Sequence, residues 1–196
     1  MLHEIAQWLF PPQCGGCDEI GTGLCLRCLP GQTERVVMTE SLRVRALAAY
    51  DGPVRRAILA LKDGRRDVAI AMGHRLAALV TRHDIVVPVP TTRTRRAVRG
   101  FDGAQLLAQT ACGVSNARFR AVLVQSAGDA QRGRSRFARL AARGRFRCDE
   151  NLAGVECTLV DDVMTTGSTL EDCAATLRQR GAIVREAIVV AVRDRA

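Results

Sequence analysis

Apolar positions in this chain recur first at helical spacing and then alternately at strand and helix spacing. Leu2, Ile5, Ala6 and Leu9 fall on one face of a short helix that Pro11 and Pro12 end. Leu42 to Tyr50 reads as a strand and Val54 to Leu61 as a helix. Val68, Ala71, Met72, Leu76, Leu79 and Val80 return to helical spacing, with Arg75 snorkelling at the edge of that face. Asp84 to Pro88 is a short apolar strand, Gly103 to Thr110 a helix, and Arg118 to Gln125 a strand. Gln131 to Arg143 reads either as a helix or as a mobile loop. Glu156 to Val160 is a buried strand, Ser168 to Arg180 a helix ended by Gly181, and Ile183 to Val192 a final strand. This alternation predicts an α/β fold, a mostly parallel sheet flanked by helices, with ligands collecting at the carboxyl ends of its strands.

Composition adds a second unit to that picture. At 196 residues, 47% hydrophobic and 25% charged, the chain suits one principal globular domain plus a small module, divided here as 42–196 and 1–34. His3, Glu4 and Gln7 interrupt the apolar start, and no small-residue cleavage site follows it, so it does not read as a signal peptide. No apolar run reaches the roughly 18 residues of a membrane span. The expected compartment is the cytoplasm, where the eight cysteines would serve as thiols and metal ligands.

Cys14, Cys17, Cys25 and Cys28 form C-x2-C-x7-C-x2-C, two knuckles whose thiolates suit one tetrahedral, structural Zn²⁺ with no open position for substrate. Gly15 and Gly16 permit the tight turn in the first knuckle. Two redox-active pairs or unrelated thiols are the competing reading. So small a module cannot hold itself together by apolar burial, and metal would supply much of its folding free energy. Cys112, Cys148, Cys157 and Cys173 are scattered and read as small buried apolar residues.

The net charge of +9 is unevenly placed. Between Pro90 and Arg147 there are 13 arginines against Asp102 and Asp129, a balance of +11, while the rest of the chain carries 16 basic and 18 acidic residues. That is the footprint of a polyanionic partner. Lys62 is the only lysine beside 28 arginines, which suggests a specific contact for its compact charge.

The chemistry concentrates in Cys157 to Thr169, CTLVDDVMTTGST. A strand delivers two carboxylates, Asp161 and Asp162, able to hold neighbouring ribose hydroxyls and the waters of a bound Mg²⁺. The turn Thr165, Thr166, Gly167, Ser168 and Thr169 then offers hydroxyls and backbone N–H groups to a phosphate at a helix N-terminus. Gly167 lets the backbone approach the ligand, and Ser168 with Glu171 matches a capping box. No G-K-[ST] is present, which disfavours nucleotide hydrolysis of the Walker kind.

This stretch resembles the phosphoribosyl pyrophosphate motif of type I phosphoribosyltransferases, and the chain as a whole resembles the ComF family among them. The resemblance rests on the four-cysteine module, Tyr50 and Gly52 leading to Leu61-Lys62, Val87-Pro88-Val89-Pro90, Arg99-Gly100-Phe101, Gln131, Arg139 and LVDDVMTTGSTL. It implies the type I phosphoribosyltransferase fold with a mobile hood, phosphoribosyl pyrophosphate with Mg²⁺ as ligand, and a role in handling DNA during natural transformation. By the same resemblance Asp161 and Asp162 face the ribose hydroxyls and Thr165 to Thr169 cradle the 5-phosphate. Pro88, Val89, Pro90, Thr91, Thr92 and Arg93 correspond to the pyrophosphate loop, with Arg95, Arg96 and Arg99 close enough in sequence to neutralise the pyrophosphate. The chain departs from the family at Asp102 and Ala142, where asparagines are usual.

Two functions follow. One is a Mg²⁺-dependent transferase in which Lys62, Arg99 and Arg139 neutralise the departing pyrophosphate, with no acceptor pocket or general base legible. The other is a non-catalytic protein that senses a phosphoribosyl ligand or holds single-stranded DNA, as an accessory to DNA-uptake proteins. Its arginine-rich middle third would form the groove. Phe101, Phe119, Phe137 and Phe146 would there stack on bases or, more simply, fill the core.

Overall fold

The computed structural model describes residues 11–30, 34–82, 85–125 and 145–193. The expected helix around Leu2 to Leu9, the segment Gln131 to Arg143 with Arg139, and Phe137 all lie outside the described residues. Six strands form one sheet in the order β1-β2-β8-β7-β3-β4: β1 Arg35–Met38, β2 Arg43–Ala49, β3 Ile85–Pro88, β4 Arg118–Phe119, β7 Glu156–Met164 and β8 Ile183–Val192. Within this sheet, among the described residues, only the β1–β2 pair is antiparallel. The helices are α1 Gly52–Lys62, α2 Arg66–Leu76, α3 Arg93–Arg99, α4 Gly103–Ser115 and α5 Ser168–Arg178. A two-stranded antiparallel ribbon pairs β5 Val124–Gln125 with β6 Phe146–Arg147. The expected mostly parallel sheet flanked by helices is therefore what the chain forms.

Period-two alternation in the central strands splits the core into two layers. Val86, Val160 and Ile188 pack beneath Ile58, Leu61, Val68, Met72, Leu107 and Ala111 of α1, α2 and α4. Their neighbours Val87, Leu159 and Val189 pack beneath Leu170, Cys173 and Leu177 of α5, together with Phe146 of the ribbon. All four scattered cysteines, Cys112, Cys148, Cys157 and Cys173, are buried.

Several boundaries differ from the sequence reading for identifiable reasons. Strand β1 was not expected, because only Val37 of its four residues turns inward and the others are exposed. Helix α4 runs past Thr110 to Ser115, since Ala111 and Cys112 continue its buried face until Asn116 turns left-handed at φ 58°. The single strand expected over Arg118 to Gln125 is instead two. Between them Val122 and Leu123 are buried without pairing, as the chain crosses there from β4 to the ribbon. Strand β7 continues four residues beyond Val160, pairing with β8 as far as Met164 and Val192.

Candidate functional site

At the carboxyl ends of β3 and β7 an open cleft of about 430 Å³ is lined by residues from five stretches of chain. Asp161 and Asp162 are consecutive in β7 and so project to opposite faces of the sheet, yet both reach the cleft because the neighbouring strand β3 ends opposite Val160. Asp162, only 9% exposed, points towards α1, where Lys62 Nζ lies 3.3 Å from its Oδ2. Lys62 ends α1, so the chain's single lysine stands on the cleft wall. Asp161 Oδ1 accepts the Asp162 N–H at 2.8 Å. Burial, then the adjacent Asp162 charge, push the Asp161 carboxyl well above the usual carboxylate range, against the pull of that N–H and of Lys62.

Beyond β7 the chain turns through 165–167 into α5. Gly167 sits at φ 83°, and a Cβ there would lie 2.7 Å from Thr39 Cγ2 of the β1–β2 turn, so both conformation and space require glycine. Thr165 and Thr169 line the cleft. Thr166 and Ser168 are exposed, with their hydroxyls 3.2 Å apart, and neither they nor Gly167 belong to the cleft lining. The expected capping box does not form: Gly167 is the N-cap and no side chain caps α5. Glu171 instead turns to the β1–β2 turn, accepting hydrogen bonds from the hydroxyls of Thr39 and Ser41 and from the Ser41 N–H. A partner 130 residues away in sequence outcompeted the local one.

The opposite wall starts where β3 ends. Pro88 is buried inside β3 against Val160 and stays out of the lining, whereas Val89, Pro90, Thr91 and Thr92 form it. Thr92 caps α3 by accepting the Arg95 N–H at 3.1 Å. Helix α3 buries none of its residues. Arg95 and Arg99, four apart and hence on one face, line the cleft, while Arg93 and Arg96 are exposed outside it. None of these four arginines has an acidic partner among the described residues. Asp102 fixes this wall: Oδ1 accepts the Gln105 N–H at 3.1 Å as the cap of α4, and Oδ2 accepts the Thr91 N–H at 3.0 Å. The residue that departs from the family pattern thus supports the loop.

The third side comes from the β5–β6 ribbon, where Gln125, Arg145 and Phe146 complete the lining with Val163 of β7. Arg145 also pairs with Asp172 of α5 and lies over the Phe146 ring, 5.9 Å from its centroid. Sequence reading assigned no role to Gln125 or Arg145 and took Phe146 only as a stacking or core residue, because two-residue strands separated by twenty positions carry no periodicity. Asp102 did leave a signal, an aspartate three residues before Gln105 at a helix start, which is the pattern of an N-cap. Phe101 and Phe146 are buried, Phe101 with the Arg66 guanidinium 5.3 Å from its ring centroid, and Phe119 is half-buried against the core.

The ligand atoms of Cys14, Cys17, Cys25 and Cys28 all lie within 4.8 Å of one another, and the Cys17 and Cys25 sulfurs are 3.7 Å apart. A tetrahedron of sulfurs about 2.3 Å from Zn²⁺ has edges near 3.8 Å, so the cluster fits that ion. The backbone supports it: N–H groups of Gly16 and Cys25 point at the Cys14 sulfur at 3.4 and 3.3 Å. Burial pushes the Cys14 thiol up, but N–H donors of Cys25, Gly16 and Cys17 outweigh it and bring the group down to about 6. The cluster lies outside the cleft and packs on α1 and α2. Cys14, Leu24, Cys28 and Leu29 are buried in the same layer as Ile58 and Met72.

Among known proteins, no family model matches the chain. It is 30% identical over 186 residues to the DNA utilization protein YhgH of Escherichia coli O6:H1 (strain CFT073), a match covering 87% of this chain and 78% of YhgH. It is 32% identical over 101 residues to the competence protein ComFC of Bacillus subtilis (strain 168), covering 51% of this chain and 40% of ComFC. The chain belongs to the ComF family. Among solved structures it is similar to the allosteric regulatory enzyme of purine biosynthesis, at 18% identity and a TM-score of 0.47 over 63% of this chain and 26% of that one. No helix of the described residues in this ComF-family chain is long and apolar enough to cross a membrane.

Proposed function

We propose that the cleft binds phosphoribosyl pyrophosphate together with Mg²⁺, and that the protein uses this ligand in the handling of DNA. One observation carries the reading: on one wall a carboxylate pair, with Lys62 beside Asp162, and Thr165 and Thr169 face Arg95, Arg99 and the Thr91–Thr92 loop on the other. The first wall suits a phosphorylated ribose, with Asp161 and Asp162 towards its hydroxyls and Thr165 and Thr169 towards its 5-phosphate. The second suits a pyrophosphate. Asp161 is strained towards its protonated form by burial and by Asp162, which fits a site completed by a cation. Both carboxylates would hold the waters of Mg²⁺, which would draw charge from the pyrophosphate.

For transfer from the ribose C1, Arg95 and Arg99 would neutralise the leaving pyrophosphate, with Lys62 reaching it by sharing its contact with Asp162. Titration calorimetry with phosphoribosyl pyrophosphate and Mg²⁺ tests the site. The Asp161→Asn/Asp162→Asn double variant should lose binding while keeping its circular dichroism spectrum. Unchanged affinity in the folded double variant would remove the reading.

Single-stranded DNA as a second ligand is favoured by α3, whose Arg93 and Arg96 stand outside the cleft with no acidic partner among the described residues. The names of YhgH and ComFC, utilization of DNA and competence, support the same direction. Replacing Arg93 and Arg96 with alanine should weaken binding of a single-stranded oligonucleotide and flatten its salt slope by about 0.7 per lost contact. Phosphoribosyl pyrophosphate binding should persist in that variant. DNA binding that ignores salt would sink this second reading.

A further inference from the structure

The β1–β2 turn lies against the outer side of the 165–169 turn, on residues that sequence spacing would never connect. Thr39 Cγ2 fills the space beside Gly167. The Thr39 hydroxyl donates to Glu171 Oε1, and the Ser41 N–H and hydroxyl donate to Oε1 and Oε2 at 2.8 and 2.6 Å. Arg178, two turns along α5 on the same side, closes the clamp by donating to the Ser41 hydroxyl at 2.6 Å and to the Ser41 carbonyl at 3.2 Å. Thr39 and Ser41 thus contact both the turn and the first and last turns of the helix it opens.

We propose that Thr39 and Ser41 are positioning residues for the phosphoribosyl site, holding Glu171 away from the start of α5 and bracing Gly167 so that the 165–169 turn keeps its ligand-binding shape. This rests on the phosphoribosyl reading of the cleft and adds the element that fixes its phosphate wall. The physical reason lies in competition. Glu171 stands in the first turn of α5, where a carboxylate turned towards the helix N-terminus would occupy or repel the place of a phosphate. Three donors from the β1–β2 turn hold the carboxylate away from that place. Among the described residues no hydrogen bond or ion pair joins the clamp to the pyrophosphate wall, which β3, α3 and Asp102 build separately, so the two halves of the ligand should respond differently to its loss.

The experiment titrates wild type and variants with two probes in Mg²⁺, ribose 5-phosphate and inorganic pyrophosphate. Thr39→Val keeps the shape beside Gly167 and removes the hydroxyl, Ser41→Ala removes the second hydroxyl, and Thr39→Ser restores a donor. Combining Thr39→Val with Ser41→Ala should cost on the order of tenfold in ribose 5-phosphate affinity, as expected for losing hydrogen bonds to a charged group. Pyrophosphate affinity should stay within twofold of wild type, and Thr39→Ser alone should bind ribose 5-phosphate like wild type. Glu171→Gln, which preserves shape, should give an intermediate loss. Wild-type binding with equal affinity in every variant would overturn the positioning role alone, as would equal losses for both probes. A wild type that ignores ribose 5-phosphate would overturn the phosphoribosyl reading itself, and the clamp with it.

Discussion

Asp161, proposed to bind the ligand, stands in the cleft at a cost to the fold. Its carboxyl titrates above the ordinary range because it is buried and faces the Asp162 charge, with Lys62 committed to Asp162 at 3.3 Å. A carboxyl raised in the folded state binds its proton more tightly there than in the unfolded chain. Its contribution to stability is therefore full below the unfolded pKa, near 3.8, and is lost as pH rises through the folded value. At neutral pH and without ligand, Asp161→Asn should accordingly raise the melting temperature, and the gain should vanish near pH 3, where both forms are neutral. Scanning calorimetry across pH decides it; a lower melting temperature at pH 7 would contradict the burial argument. Gly167 carries the opposite case. Gly167→Ala should destabilise by at least roughly 1–2 kcal/mol, from the left-handed backbone alone, before displacement of Thr39 is counted. Chemical denaturation measures it.

Among the elements, β7 with α5 was legible and β1, α3 and the β5–β6 ribbon were not. The apolar run before Asp161 and the small polar residues after Met164 announce a strand and a helix start in any context. Four residues of β1, three of them exposed, announce nothing until β2 pairs with them. The same division runs through the candidate site. Asp161, Asp162, Thr165, Thr169, Lys62 and the Val89–Thr92 loop were legible because they cluster in short motifs, and the structure brings them into one cleft. Arg145, Phe146 and Gln125 join them only through tertiary packing, and Glu171 was assigned a local cap because nothing in the sequence points from it to Thr39 and Ser41. That long-range clamp has its own pH signature. Burial raises the Glu171 carboxyl, but hydrogen bonds from Ser41 and Thr39 and the charge of Arg178 outweigh it, so the group lies below its ordinary 4.5. A lowered carboxyl stabilises above the unfolded pKa and loses that contribution as pH falls through the folded one. Wild type should therefore lose more stability between pH 5 and 3 than Glu171→Gln, read as the difference in melting temperature between the two. Parallel pH profiles would mean that the clamp carries no charge-dependent stability.

At the scale of the whole molecule, the cysteine cluster and the sheet share one hydrophobic layer, so a metal held by the four thiolates would bear on the entire fold. Leu24 and Leu29 are buried with Ile58, Leu61, Val68 and Met72. A Cβ on Gly15 would meet Val68 at 2.9 Å, and one on Gly23 would meet the Asp67 backbone at 2.7 Å, so the knuckles lie directly on α2. Arg65 donates to the Gln13 carbonyl, and Arg75 to those of Leu29 and Leu24, tying the same surfaces by polar contacts. The knuckles themselves form little regular structure, and thiolates drawn together without a cation repel one another. If Zn²⁺ fills the cluster, its removal should loosen the knuckles and uncover the outer faces of α1, which ends in Lys62, and α2. The expected outcome is a single melting transition that moves to lower temperature when a strong chelator strips the metal, returns on adding Zn²⁺, and is low from the start in Cys14→Ser. Phosphoribosyl pyrophosphate affinity should fall in parallel, because α1 carries Lys62 to the cleft. Two separate transitions, with the upper one indifferent to chelator, would instead make the cysteine module an independent unit and leave the cleft untouched by its loss.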